Sequence, residues 1–193
     1  MTHYFKKGTT GDKVVVTYVY KGVPLQFVSY TSLFSGSEVD EGTRLLLEHL
    51  RIPEEGEVLD VGCGFGVIGI AVASVAPRLK VYMVDVNPLA VKVSKLNAKL
   101  NKVEDRVVVV LGDAYEPFKG KNFDAIYSNP PLAVGMEVVE KIVLGAVQYL
   151  KSGGWAQFVL AKGGERILSK ARDVYKRVEK ISKKGYTLIY AEP

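Results

Sequence analysis

The sequence predicts an α/β fold: a Rossmann-like, doubly wound sheet of seven mostly parallel strands with an antiparallel last strand, preceded by a β-hairpin. Three observations carry this. From residue 57 onward, short apolar runs rich in valine and isoleucine alternate with helical patterns, as βαβ units do. The runs are apolar almost throughout, which fits parallel strands covered on both faces. The last two strand-like segments flank the turn Lys183-Lys184-Gly185, and a pair joined so tightly must be antiparallel.

The elements follow in order. VVVTYVY (14–20) and LQFVSY (25–30) are β-branched and aromatic, and Lys21-Gly22-Val23-Pro24 between them reads as a hairpin turn. After a looser stretch, Asp40 or Gly42 opens a helix that runs to Leu50 and is stopped by Pro53 and Gly56. A strand over 57–61 leads through a glycine loop into a small-residue helix over 67–75. Strand 81–85 precedes a helix that Pro88 starts, with Asn87 placed to cap it. Strands follow at 106–111 and 123–128. A helix is expected over 137–150, ended by Ser152-Gly153-Gly154, and a strand over 155–160. A basic helix from about Glu165 and strands near 178–181 and 186–190 complete the chain. At 193 residues this is one domain over 1–193, with 1–50 an extension packed on a 51–193 core.

Composition excludes several classes. No apolar run is long enough to span a bilayer, and residues 1–7 lack the apolar core of a secretory signal, so a cytoplasmic protein is expected. One cysteine, Cys63, and two histidines, His3 and His49, give no disulfide and no metal-ligand spacing. Cys63 reads as a small packing residue rather than a nucleophile. The net charge is +5, and the segment 165–184 alone carries eight basic residues against three acids, the same excess. That segment is either a solvated helix face or a flank for nucleic-acid phosphates.

In an open α/β sheet, ligands sit beyond the carboxyl ends of the strands. Four strands here end in Asp60, Asp85, Asp113 and Asn129. The hexamer from Gly64 to Gly69 fits G-x-G-x-x-G, which alone says only that a ligand approaches the backbone. Asp60 before it discriminates: a carboxylate at the mouth of a pyrophosphate site adds repulsion, whereas a cationic ligand welcomes it. S-adenosylmethionine, with a sulfonium, an ammonium and no phosphate, is such a ligand. Asp85, some twenty residues on, suits ribose hydroxyls, and Asp113 suits an adenine amino group. In Asn129-Pro130-Pro131-Leu132 the prolines stiffen the backbone. The Asn129 side-chain oxygen and the Pro130 carbonyl can then accept from an NH2 group and aim its nitrogen at a methyl donor, catalysis by orientation and acceptor placement.

The motifs Asp60-Val61-Gly62-Cys63-Gly64-Phe65-Gly66 and Asn129-Pro130-Pro131-Leu132, in this order and spacing, resemble those of class I S-adenosylmethionine-dependent methyltransferases of the small methyltransferase domain family. The resemblance runs from about Phe34 to Tyr190. The stretch Phe34-Ser35-Gly36-Ser37-Glu38-Val39-Asp40-Glu41-Gly42-Thr43 is similar to the one preceding the cofactor motif in bacterial small-subunit rRNA guanine-N2 methyltransferases, with small stand-alone archaeal members most alike. The resemblance implies S-adenosylmethionine as cofactor. Asp60, Gly62, Cys63, Gly64 and Gly66 would line its methionine end, Asp85 and Val86 the ribose, and Asp113 and Ala114 the adenine. Asn129, Pro130, Pro131 and Leu132 would hold the target amine.

Two departures bear on the substrate. The bacterial rRNA enzymes carry a further amino-terminal domain, so here selection would fall to the 1–50 extension, the 165–184 segment or a second subunit, a homodimer for example. Many members have an aromatic residue where this chain has Leu132, which removes a π contact to the base. The expected activity is methylation of an exocyclic amine, guanine N2 in RNA first. Adenine N6, cytosine N4 and the amide of a protein glutamine share the motif. A nicotinamide-dependent reductase is opposed by Asp60, and a non-catalytic RNA-binding module by the full set of site residues.

Overall fold

The computed structural model describes residues 11–33 and 37–193. The chain begins with a hairpin, β1 (Lys13–Tyr20) and β2 (Val23–Tyr30). Lys21 and Gly22 both have positive φ, 47° and 80°, as the two-residue turn of such a hairpin requires. Pro24 falls inside β2, opposite Val19, rather than in the turn. Helix α1 (Glu41–Glu48) is capped by Asp40, whose carboxylate accepts from the Thr43 backbone N–H at 3.2 Å.

The core alternates β3 (Gly56–Val61), α2 (Val67–Val75), β4 (Leu79–Asp85), α3 (Pro88–Leu100), β5 (Val107–Leu111) and β6 (Phe123–Ser128). It closes with α4 (Met136–Gly145), β7 (Leu150–Leu160), α5 (Gly164–Val174), β8 (Arg177–Lys183) and β9 (Tyr186–Glu192). The sheet order is β5-β4-β3-β6-β7-β9-β8; the pairs β4–β5, β3–β4, β3–β6 and β6–β7 are parallel, and β9 runs antiparallel to both neighbours. The order reverses between β3 and β6, so the crevice at their carboxyl ends is the switch point where such sheets take ligands.

Two apolar clusters cover the faces. One joins α1, α2 and α3 to the sheet and the hairpin; the other holds α4 and α5. The hairpin docks on α3 through side-chain amides. Asn97, fully buried, accepts from the Val28 N–H at 2.8 Å and donates to the Val28 carbonyl and to the Phe65 carbonyl in the glycine loop, both at 2.8 Å. Asn101 repeats the exchange with Gln26 one turn later. These amides do for the outer edge of β2 what a third strand would do.

One expectation needs correcting. The α4 pattern does not continue to Leu150: the α-helix ends at Gly145, a 3-10 turn spans Ala146–Tyr149, and β7 starts at Leu150 and runs through Ser152-Gly153-Gly154. The glycines sit in a bulged strand, with a register shift against β6. A Cβ on Gly154 would lie 2.9 Å from the Asp124 carbonyl oxygen, so the close strand approach, not a loop, demands glycine there.

Candidate active site

The loop between β3 and α2 turns on Gly62, Gly64 and Gly66, with φ of 70°, 56° and 100°. At Gly62 and Gly64 an added Cβ would meet nothing within 4 Å, so the loop presents bare backbone to open space. The loop is pinned from below. Asp85 at the end of β4 accepts from the Gly64 N–H and the Asn87 N–H, one on each oxygen, both at 2.9 Å. Ser94 on α3 donates to the Gly64 carbonyl at 2.8 Å. Each Asp85 oxygen keeps a lone pair for a further donor. Burial pushes its carboxyl up, against the pull of those N–H groups.

Asp60 differs from its expected position at the mouth. It is 1% exposed and lies beneath the loop, where one oxygen accepts from the Gly69 N–H in α2 at 2.9 Å. The other oxygen, Oδ1, is buried without a hydrogen-bond partner among the described residues. Burial pushes this carboxyl up to about 7, with the nearby Asp85 charge adding to the shift and the Gly69 N–H opposing it. A Cβ on Gly69 would come within 2.6 Å of the Met83 sulfur, so the helix packs on the sheet over this carboxylate as only glycine allows. Cys63 is 8% exposed, and burial pushes its thiol well up, as suits a packing residue rather than a nucleophile.

Val86, half exposed, follows Asp85, and Leu111 at the paired end of β5 is exposed to a similar degree. Together they leave apolar ground beside the Asp85 carboxylate; Leu111 is an element that a search for polar strand ends misses. Asp113 is exposed and ion-paired with Lys141 of α4 at 2.8 Å. Ala114, buried, takes a positive φ of 50° into the turn that follows.

β6 ends at Ser128, whose hydroxyl donates to the Val61 carbonyl at 2.6 Å and ties the two central strands together at the switch point. Asn129 therefore emerges beside the glycine loop, and one cleft is lined by Gly62, Gly64, Phe65, Asp40, Thr43 and Asn129. Its amide nitrogen donates to Asp40 Oδ1 at 3.0 Å and to Thr43 Oγ1 at 2.9 Å. Asp40 was legible as one of two candidates for the helix start; its reach and that of Thr43 to Asn129, 89 and 86 positions away, was not. Pro130 is buried, Pro131 half-buried, and the backbone of Leu132 opens a 3-10 turn, Leu132–Val134; the Leu132 side chain lies outside the described structure. Residues 34–36 of the stretch before α1 lie outside the described residues too.

The basic excess of 165–184 is largely neutralised locally. Arg166 and Lys170 pair with Glu140, Arg177 with Glu179 and Glu192, Lys180 with Glu165, Lys183 with Glu48 and Lys184 with Glu41. Arg172 and Lys176 are exposed and take part in none of the ion pairs among the described residues. A roomier groove between the hairpin and α3, lined by Tyr18, Leu25, Arg44 and Arg106, contains none of the strand-end site residues.

The model of the methyltransferase small domain matches residues 24–190. This chain belongs to the small methyltransferase domain family. It is 33% identical to the uncharacterized protein YbxB of Bacillus subtilis, over 98% of both chains. It is 39% identical to ribosomal RNA small subunit methyltransferase C of Pseudomonas putida, over 70% of this chain and 41% of that one. The chain thus spans about two-fifths of that relative's length. Among solved structures, the Thermus thermophilus 16S rRNA N2 G1207 methyltransferase, in complex with AdoMet and guanosine, superposes with a TM-score of 0.81 at 24% identity, over 92% of this chain and half of the other. The fold is that of S-adenosylmethionine-dependent methyltransferases. Two features of the site would suit S-adenosylmethionine: the open backbone at Gly62 and Gly64, and the unpartnered Asp60 oxygen beneath the loop. Among the described residues, no helix is long and apolar enough to cross a membrane.

Proposed function

We propose that this protein is an S-adenosylmethionine-dependent N-methyltransferase that methylates an exocyclic amine, guanine N2 of ribosomal RNA, in the cytoplasm. One observation carries the reading: Asn129, followed by two prolines, shares a cleft with the glycine loop at the switch point of the sheet. The methyl donor supplies a methyl group on a positively charged sulfur. The chain's part is to hold the two ends. Asp85 offers lone pairs to ribose hydroxyls, and Val86 and Leu111 offer apolar surface to the adenine, with Asp113 and Ala114 at its rim. Asn129 Oδ1 and the Pro130 carbonyl accept from the target NH2 and aim its lone pair. No strong base is required, because the proton is acidic once the nitrogen carries the methyl group. A base inside a helix cannot reach such a cleft, so the target is unpaired or flipped out.

Guanine N2 is favoured by the relatives, which include an rRNA small-subunit methyltransferase and a guanine-N2 enzyme solved with guanosine. Arg172 and Lys176 are the part of the basic segment free to meet phosphates. The deciding experiment is methylation of separate rRNA, tRNA and ribosomal-protein pools, followed by mass identification of the modified unit. N2-methylguanosine in rRNA is expected. N6-methyladenosine or N4-methylcytosine would move the target to another base, and methylglutamine would move it to protein. A melting temperature raised by NAD and not by S-adenosylmethionine would overturn the reading as a whole.

A further inference from the structure

The Asn129 amide has two N–H bonds and both are used inside the protein. One reaches Asp40 Oδ1 at 3.0 Å and the other Thr43 Oγ1 at 2.9 Å. The acceptors are themselves fixed. The Thr43 hydroxyl proton goes to Asp40 Oδ2 at 2.5 Å, which leaves that oxygen only lone pairs to offer Asn129. Asp40 Oδ1 also accepts from the Thr43 backbone N–H at 3.2 Å. A flipped amide would set its carbonyl oxygen against two oxygens with no proton between them. The network therefore permits one orientation, with Oδ1 turned away from α1.

The packing around the amide is close. Between Asp40 and Thr43 stands Gly42, where a Cβ would lie 2.9 Å from Tyr186 Cε1, 3.1 Å from Asp40 Oδ1 and 3.4 Å from Asn129 Nδ2. The first turn of α1 is thus seated against the amide, with β9 behind it. Lys184 and Lys183 in the β8–β9 hairpin pair with Glu41 and Glu48 and hold the helix from the other side.

Building on the methyltransferase reading, we propose that Asp40 and Thr43 are positioning residues for Asn129: they fix its amide so that only the oxygen faces the substrate amine, and the Asp40 charge makes that oxygen a stronger acceptor. A carboxylate hydrogen-bonded to an amide N–H polarises the amide, drawing the N–H bond and enriching its oxygen; bonds in such a chain strengthen one another. The target amine is a weak nucleophile, so placing its acceptor well and making it more basic act on the same step.

The test uses Thr43→Val, Thr43→Ser and Asp40→Asn in the full chain; serine and asparagine keep the capability to support the helix start. Two readouts are combined. In the cofactor-free protein, the Asn129 side-chain NH2 signals, identified by their loss in Asn129→Ala, should exchange slowly with solvent in the wild type and quickly in Thr43→Val and Asp40→Asn. In turnover, Thr43→Val should lower kcat about tenfold, the rate equivalent of one net hydrogen bond. Asp40→Asn should lower it further, KM for S-adenosylmethionine should stay unchanged in both, and Thr43→Ser should recover most of the loss. Wild-type amide protons that exchange as fast as those of the variants would overturn the proposal. So would a kcat in Asp40→Asn and Thr43→Val within about twofold of wild type, or a loss that serine does not restore. A wild-type protein that binds no S-adenosylmethionine and methylates nothing would sink the functional reading, while the exchange measurement alone would still decide how the amide is held.

Discussion

Asp60 allows a prediction with a worked magnitude and sign. Its carboxyl is raised by burial from 3.8 to about 7. Between those values the folded protein holds a proton that the unfolded chain has released, so folding takes up a proton and stability falls as pH rises through this window. At about 1.4 kcal/mol per unit, the full effect is about 4 kcal/mol, and about 3 kcal/mol of it falls between pH ~4.5 and ~8. Asp60→Asn removes the titration and keeps the shape. Its amide oxygen can still accept from the Gly69 N–H, and its NH2 takes the position of the unpartnered oxygen, at a cost of about 1–3 kcal/mol for an unmet donor. The variant should therefore be no more stable than wild type near pH ~4.5 but more stable near pH ~8, the two differences being separated by about 3 kcal/mol. Urea unfolding of both proteins at the two pH values measures this. Comparing the pair cancels the groups that titrate alike in both proteins, while Asp85, which feels the Asp60 charge, titrates with it. A stability difference that is the same at both pH values would refute the reasoning, because it would mean that Asp60 stays charged under the loop.

Three further outcomes are expected. Asn129→Ala should abolish methyl transfer while calorimetry finds S-adenosylmethionine affinity within about threefold of wild type, as the proposed role toward the amine requires; an equal loss of affinity would contradict that role. Asp85→Ala should weaken S-adenosylmethionine binding by at least tenfold, because it removes both the proposed ribose acceptor and the anchor of the Gly64 N–H, roughly one charge-assisted hydrogen bond; an unchanged Kd would exclude the contact. Replacing Arg172 and Lys176 together with glutamine should flatten the slope of log K against log salt for single-stranded RNA by about 1.5, whereas an unaltered slope would remove this flank from the RNA interface.

Much of this was legible in local pattern. The strand ends Asp60, Asp85, Asp113 and Asn129 could be found because apolar runs end where polar residues begin, whereas the strand order, and with it the switch point, came from the structure. Asn87 as a helix cap and Lys184-Gly185 as a hairpin turn rest on chemistry within a few residues, and the structure has both. What stayed hidden depends on distance in sequence. That Asp60 is buried depends on Gly69 and Met83 closing over it. That the basic segment is mostly neutralised depends on Glu41, Glu48 and Glu140, which belong to other elements. Ser152-Gly153-Gly154 reads in sequence as a helix stop because glycine marks both stops and bulged strands, and only the neighbouring strand separates them.

The Asn97 side chain bears on where this domain can be cut. Its amide makes three hydrogen bonds, two to the hairpin backbone at Val28 and one to Phe65 in the glycine loop. The family match begins at residue 24, inside β2, so a protein started there keeps Val28 but loses β1, the strand that holds β2 straight. Started at residue 51, it loses Val28 as well, and a fully buried amide keeps only its bond to Phe65. The hairpin is then a splint on the loop rather than an appendage, and its removal should loosen the loop first, at Phe65, before the sheet feels the loss.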